Sequence, residues 1–345
     1  MSGVSIREID YIRRRIRACD YLTVAQLFLQ GNFLLERKLI CSDIKPRLLG
    51  HWGTCHGINV AYANLFSFFR DDSNFSFILG PGHGFPALQA NLFIDGELAK
   101  VDEKAAVGVS GLEYICRNFS WPDGFPSHSS PFTPGIIVEG GELGYALANA
   151  YGVALGHPEK TIAVLIGDGE LETATGLASL NLKNLLSGAR NGRILPILHL
   201  NGYKISGPTI YGRKSERELF EMIRGFGFTP VLIDGDDPEV FQGGLSKFLQ
   251  RPSEKNPEDA RDLQRPSKKC CKKYNGFELG LCKNENPFFI LRTEKGEGGP
   301  NRHDAAHQIP LKNPATDMEE LKILEDWMRS YRFEELFDEE KGFLL

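Results

Sequence analysis

Two apolar runs, TIAVLI (161–166) and ILPILHL (194–200), constrain the fold of this chain more than any other feature. Each is short, rich in branched side chains and free of polar alternation, which predicts strands covered on both faces. A glycine-rich turn entering an alanine-rich helix, EGGELGYALANAYGVALG (139–156), precedes the first run, and a segment with a helical pattern, about 172–186, separates the two. TPVLI (229–233) and FFILRT (288–293) extend the series. Strands that alternate with helices predict an α/β fold, a parallel sheet with helices on both faces. Ligands of such sheets bind beyond the carboxyl ends of the strands.

The flanking segments fit around that sheet. Ile6, Ile9, Ile12, Ile16, Cys19 and Leu22 recur at three- and four-residue intervals, the stripe of an amphipathic helix over about 5–30 that lies on a core. Two glycine-histidine loops, GHWGTCHG (50–57) and GPGHGFP (80–86), flank INVAYANLFSFF (58–69), whose length and alanine content predict a helix. The proline-punctuated run FSWPDGFPSHSSPFTPG (119–135) predicts a long irregular loop over the surface or across a site. A final amphipathic helix is expected over about 317–337, and no internal repeat is present.

At 345 residues, 41% hydrophobic and 25% charged, the chain has the composition of a globular protein with a sizeable core. A formal charge of −5 gives no field to attract nucleic acid or an anionic membrane. No window approaches the roughly 18 apolar residues of a membrane span, and the N-terminus lacks the apolar core of a secretory signal. Seven cysteines at irregular spacing form no Cys-x-x-Cys pair, which fits a reduced compartment, and the expected location is the cytosol. The one basic run, Lys268, Lys269, Lys272 and Lys273 around Cys270 and Cys271, falls in a polar stretch (251–286) expected to be a solvated surface loop.

Thirty-seven glycines cluster in short loops where backbone must pass close to something. Gly167, Asp168 and Gly169 follow the run 161–166 at once, and Asn201 and Gly202 follow the run 194–200. If the two strands are neighbours, Asp168 and Asn201 bring hard oxygen ligands into one crevice. A carbonyl from the loop 201–206 would add a third, and the glycines would let phosphate oxygens reach backbone amides. That donor set suits magnesium with a diphosphate. Two ordinary turns, with Asp168 capping the helix that follows, would produce the same residues.

The spacing of 201 − 168 = 33 positions resembles the thiamine-diphosphate motif of transketolase-like enzymes. A longer ordered set then narrows the resemblance: LLGHWGTCHG (48–57), ILGPGHGFPA (78–87), FSWPDGFPSH (119–128), EGGELGYALANAYG (139–152), VLIGDGELET (164–173), LPILHLNGYKIS (195–206) and HQIPL (307–311). From about 21 to 337 the chain closely resembles the N-terminal part of phosphoketolases, and the resemblance weakens only in the 251–286 stretch. The resemblance implies a thiamine-diphosphate-binding fold, with thiamine diphosphate and Mg²⁺ as cofactors. It implies a carbon–carbon lyase that cleaves xylulose 5-phosphate or fructose 6-phosphate with inorganic phosphate, giving acetyl phosphate and an aldose phosphate.

Carried over by motif, Asp168 and Asn201 match the metal ligands, with the carbonyl of Tyr203 as the third. Thr54, Gly141, Glu142, Gly167 and Gly169 match positions around the cofactor, and Lys295 a lysine on its phosphate side. His51, His83 and His307 match active-site histidines, suited to proton transfer near neutral pH. His128 lies in a matched motif with no role assigned, and His56, His157, His199 and His303 read as structural. The chain also departs from the pattern. His56 stands where a proline is usual, Phe85 where a glycine is common, KGEGGP lacks a usual tryptophan, and the stretch from Pro300 to His307 is shorter.

Phosphoketolases continue with two further domains, the first of which supplies the pyrimidine pocket and the glutamate that activates the cofactor. None of residues 1–345 resembles them. The chain therefore reads as a single diphosphate-binding domain, 1–345, with an N-terminal helical extension. It is expected to need a pyrimidine-domain partner chain or a homo-oligomer for turnover and to be inactive alone. A catalytically silent binding or regulatory module, a truncated gene product and a split transketolase-like subunit are the other readings.

Overall fold

A five-stranded parallel sheet forms the centre of the computed structural model, which describes residues 5–133, 136–187, 190–249 and 286–345 and the backbone of 272–274 and 277–279. The strands are β1 (Phe75–Leu79), β2 (Thr161–Gly167), β3 (Arg193–Leu200), β4 (Thr229–Asp234) and β5 (Pro287–Arg292). They lie in the order β1-β2-β3-β5-β4, so β5 is inserted between β3 and β4. The register pairs Gly167 with His199, His199 with Leu291, and Asp234 with Arg292, which aligns the carboxyl ends of four strands along one rim.

Alternation along the strands divides the core. Ala163, Leu165, Leu195, Ile197, Phe289 and Leu291 face one cluster; Ile162, Val164, Ile166, Leu198, Phe288 and Ile290 face the other. The first is closed by helices α1 (Ile6–Phe28), α2 (Cys55–Phe69), α3 (Phe85–Ile94) and α4 (Val109–Asn118). The second is closed by α5 (Ala146–Gly156), the short helices α6 (Asp168–Leu171) and α7 (Ala174–Ser179), and α8 (Glu216–Gly225). Helices α9 (Pro238–Phe248) and α10 (Met318–Ser330) return to the first face. Helices thus cover both faces, as the continuous apolar runs predict.

Several boundaries differ from the sequence reading. The edge strand β1 was not anticipated: its first three residues are only partly buried, and FSFIL follows the aromatic end of α2, so no period separates them. The helix expected over 172–186 is broken, because Thr173 caps α7 by accepting from the Gly176 amide, and a tight 3-10 turn (Leu180–Leu185) follows. The last helix stops at Ser330, where Arg332 takes a left-handed φ of 48°.

The N-terminal helix also differs. Only its first half is amphipathic; every residue from Ala18 to Phe28 is buried. Most of its buried polar side chains find partners within the protein, although Gln26 Oε1 has none among the described residues. Arg15 pairs with Asp95 at 2.6 Å, Tyr62 donates to the same carboxylate at 3.0 Å, and the Arg15 guanidinium lies 4.3 Å over the Phe66 ring. Asp20 accepts from Asn59 Nδ2 at 2.7 Å and holds His56 Nδ1 at 2.8 Å. The second half of α1 is thus part of the core.

Apart from an antiparallel ladder, Lys272–Tyr274 with Phe277–Leu279, and Asn286 at its end, the polar stretch expected as a loop lies outside the described residues. Among the described residues, no helix is long and apolar enough to cross a membrane.

Candidate active site

The carboxyl ends of β2 and β3 open into a cleft of about 180 Å³. Asp168 begins α6 directly after β2, and Asn201 follows β3. Asp168 is buried and its carboxylate is held on both oxygens: Oδ1 accepts from the Gly169 amide at 2.9 Å, Oδ2 from the Gly202 amide at 2.7 Å and from Thr209 Oγ1 at 3.0 Å. Burial raises its pKa to about 6 against these donors, so at neutral pH it is chiefly ionised. Asn201 Oδ1 accepts from the Tyr203 amide at 3.1 Å, which folds the loop so that Tyr203 joins the cleft wall.

Lys295, three residues beyond β5, is buried opposite. Its ammonium donates to the carbonyls of Tyr203 (3.3 Å) and Lys204 (2.8 Å) and stands 3.1 Å from His307 Nδ1. Burial lowers its pKa to about 8. An ammonium has no acceptor, so His307 Nδ1 accepts, and the neutral ring carries its proton on Nε2.

Four imidazoles gather in the same cleft. The His51 ring lies 5.1 Å from His83, 5.2 Å from His128 and 5.0 Å from His307, edge to face in each case. They come from the loop before α2, the turn before α3, the proline-rich loop and the segment after β5. Burial, followed by the neighbouring rings and Lys295, lowers His51 to about 3; burial and Lys295 lower His307 to about 4. His83 is pushed well below its ordinary value and His128 is lowered, in both cases mainly by burial. The rings are therefore neutral at pH 7, each with one donor and one acceptor. His51 Nδ1 is buried with no partner among the described residues. No group of three or more His, Cys, Asp or Glu among the described residues is arranged to hold a metal ion.

Close backbone packing closes one wall. A Cβ on Gly82 would lie 2.1 Å from Gly140 Cα, and the Ser129 amide and carbonyl tie these two glycine loops together. The proline-rich loop thus crosses the site, with His128 inward.

Of the residues singled out in the sequence, His51, Thr54, His83, Gly141, Gly167, Asp168, Gly169, Asn201, Tyr203, Lys295 and His307 line this one cleft. Glu142 does not. It is exposed, although its neighbours Gly141 and Leu143 both line the cleft, and Gly144 beyond them is held through its amide by Glu170. The shortened segment before His307 still delivers its ring to the cluster. Three contributors were not anticipated: His128; Thr209, which carries no sequence signal; and Glu170, whose carboxylate takes the amides of Gly167 and Gly144. Its place three residues after Gly167 is a capping spacing that could have flagged it.

This sheet order, with a cleft at its carboxyl rim, defines the class as a transketolase-like α/β fold. Solved transketolases share it: a variant from Pichia stipitis superposes with a TM-score of 0.59 at 18% identity, covering 94% of this chain and 41% of its own. The enzyme from Campylobacter jejuni gives 0.57 at 16% identity, with 96% and 48% covered. The family is narrower. The XFP N-terminal domain matches residues 3–344. Probable phosphoketolases from Bradyrhizobium diazoefficiens and Rhodopseudomonas palustris are 40% and 43% identical over 98% and 93% of this chain, and 42% and 41% of theirs. The chain belongs to the phosphoketolase N-terminal domain family, and it spans about two fifths of the length of these relatives.

Proposed function

We propose that this chain is the diphosphate-anchoring half of a phosphoketolase, a carbon–carbon lyase acting on xylulose 5-phosphate or fructose 6-phosphate with inorganic phosphate. The observation that carries the proposal is the convergence of Asp168, Asn201, Tyr203, Lys295 and four neutral imidazoles on one cleft at the carboxyl ends of neighbouring strands. A buried carboxylate, an amide oxygen and a carbonyl are hard donors, which fit Mg²⁺ and leave positions for phosphate oxygens and water. Thr54, Gly141 and the Gly167 and Gly169 turn would border the diphosphate. Thiamine diphosphate, when bound, supplies the carbon centre at which the ketose is cleaved.

The chain's own residues bind, orient and move protons. Lys295 fixes His307 as a donor through Nε2 and adds a cation on the phosphate side. His51, with Nδ1 free, and its neighbours His83 and His128 can each take or return a proton without first shedding one to water. Their low basicity suits them to hydrogen bonding with sugar hydroxyls and to short-lived protonation. Turnover would draw on residues beyond those matched here, because the chain spans only about two fifths of the relatives' length.

Titration calorimetry tests the reading. Thiamine diphosphate should bind only with Mg²⁺, and Asp168→Ala should abolish the heat. Binding that survives Asp168→Ala, or that ignores Mg²⁺, would remove the assignment.

A further inference from the structure

His199 lies on β3, one strand across from Gly167, and points to the α2 side of the sheet. It is buried and outside the cleft wall, yet both ring nitrogens are engaged by hydroxyls. Nδ1 is 3.1 Å from Thr54 Oγ1, and Nε2 is 2.8 Å from Thr293 Oγ1. The ring is wedged from a third side by α2, where a Cβ at Gly57 would lie 2.0 Å from Nε2. Thr54 lines the cleft, while Thr293 is the residue just beyond β5, two before Lys295.

A neutral imidazole carries one proton, so it donates at one nitrogen and accepts at the other. The two hydroxyls therefore cannot choose independently. If Nδ1 carries the proton, Thr54 accepts and its own hydroxyl hydrogen is free for the cleft, while Thr293 donates to Nε2. If Nε2 carries it, Thr54 donates to the ring and can offer the cleft only a lone pair. A bound anion favours the first arrangement, since it needs a donor.

We infer that His199 is a positioning residue: through the Thr54–His199–Thr293 relay its tautomer sets whether Thr54 presents a donor or an acceptor to the ligand, and diphosphate selects the Nδ1–H form. This inference rests on the diphosphate reading of the cleft.

The test combines titration calorimetry of thiamine diphosphate with Mg²⁺ and ¹⁵N NMR of the His199 ring. Thr293→Val removes a hydroxyl that does not line the cleft. It should weaken binding several-fold in the wild-type background and leave it unchanged in His199→Phe, which itself binds at least about tenfold more weakly. His199→Gln, which can still bond a hydroxyl, should recover part of the loss. The ring signals should move toward Nδ1–H as ligand is added. Equal effects of Thr293→Val in both backgrounds, or a tautomer indifferent to ligand, would overturn the relay. Wild-type protein that binds no thiamine diphosphate would fail the diphosphate reading itself. The relay would then be judged on free protein, where Thr293→Val must change the tautomer and an unchanged spectrum refutes it.

Discussion

Asp20→Asn removes the counter-charge of a buried imidazolium. His56 Nδ1 sits 2.8 Å from Asp20 Oδ2, and its Nε2 faces Asp236 Oδ2 at 3.5 Å, an ion-pair distance without hydrogen-bond geometry. Burial alone would lower the His56 pKa; the charge and hydrogen bond of Asp20, helped by Asp236, reverse this and raise it to about 10. Between an ordinary 6.5 and 10, the linkage is worth roughly 4–5 kcal/mol. Breaking one side of a buried pair costs about 3–5 kcal/mol, so Asp20→Asn should lose about 3 kcal/mol or more in urea unfolding at pH 7.

The pH dependence has a defined sign. A raised folded pKa stabilises fully below the unfolded value of 6.5, and the stabilisation is lost as pH rises through about 10. The stability of wild type minus that of His56→Gln should therefore be flat below pH 6.5 and shrink toward pH 10. A loss under about 1 kcal/mol in Asp20→Asn, a difference that stays level from pH 6.5 to 10, or a His56 ring that NMR finds titrating at its ordinary value would refute the reasoning.

Three other outcomes follow from the packing. Gly82→Ala forces a methyl against Gly140 Cα and should cost about 1–3 kcal/mol in thermal unfolding while also weakening thiamine diphosphate binding; an unchanged melting temperature would show that the two loops are not in contact. Thr209→Val strips one donor from Asp168 Oδ2 without touching Asn201, and Mg²⁺-dependent binding should weaken about 10-fold or more by calorimetry; unaltered affinity would mean that the hydroxyl does not orient the carboxylate. Arg15→Leu leaves Asp95 buried with Tyr62 as its remaining side-chain donor and should lose about 3–5 kcal/mol in urea unfolding; a neutral result would mean that the pair is replaceable by apolar packing.

What the sequence revealed follows from what each segment's pattern carries. β2, β3 and β5 were legible because strands buried on both faces keep a continuous apolar run, and β4, half-buried at the other edge, because PVLI still stands out between Thr229 and Asp234. β1 was not, because an edge strand is half exposed and this one abuts an aromatic helix end. The burial of α1 was hidden by Arg15, Asp20, Thr23 and Gln26, which look like a solvent face until their partners on α2 and α3 are known. In the site, Asp168 and Asn201 could be read from strand ends, and His51, His83, Lys295 and His307 from motifs. Thr209 and His199 could not, since each acts through a hydrogen bond to a residue 41 or 145 positions away. Glu142 shows the reverse limit: motif adjacency to Gly141 does not decide which way a side chain turns.

The insertion of β5 between β3 and β4 also bears on how the chain can be made. Strand β4 leaves the ribosome first, yet its neighbour in the sheet is β5, so it has nothing to pair with until more than 50 further residues have emerged. Until then the apolar edge of β3 is an open template of the kind that recruits other chains. Lys295 and His307 arrive later still, so the two residues that finish the cleft are delivered by the event that seals the sheet. Premature termination anywhere before Pro287 would therefore yield an adhesive, unclosed sheet rather than a weakened site.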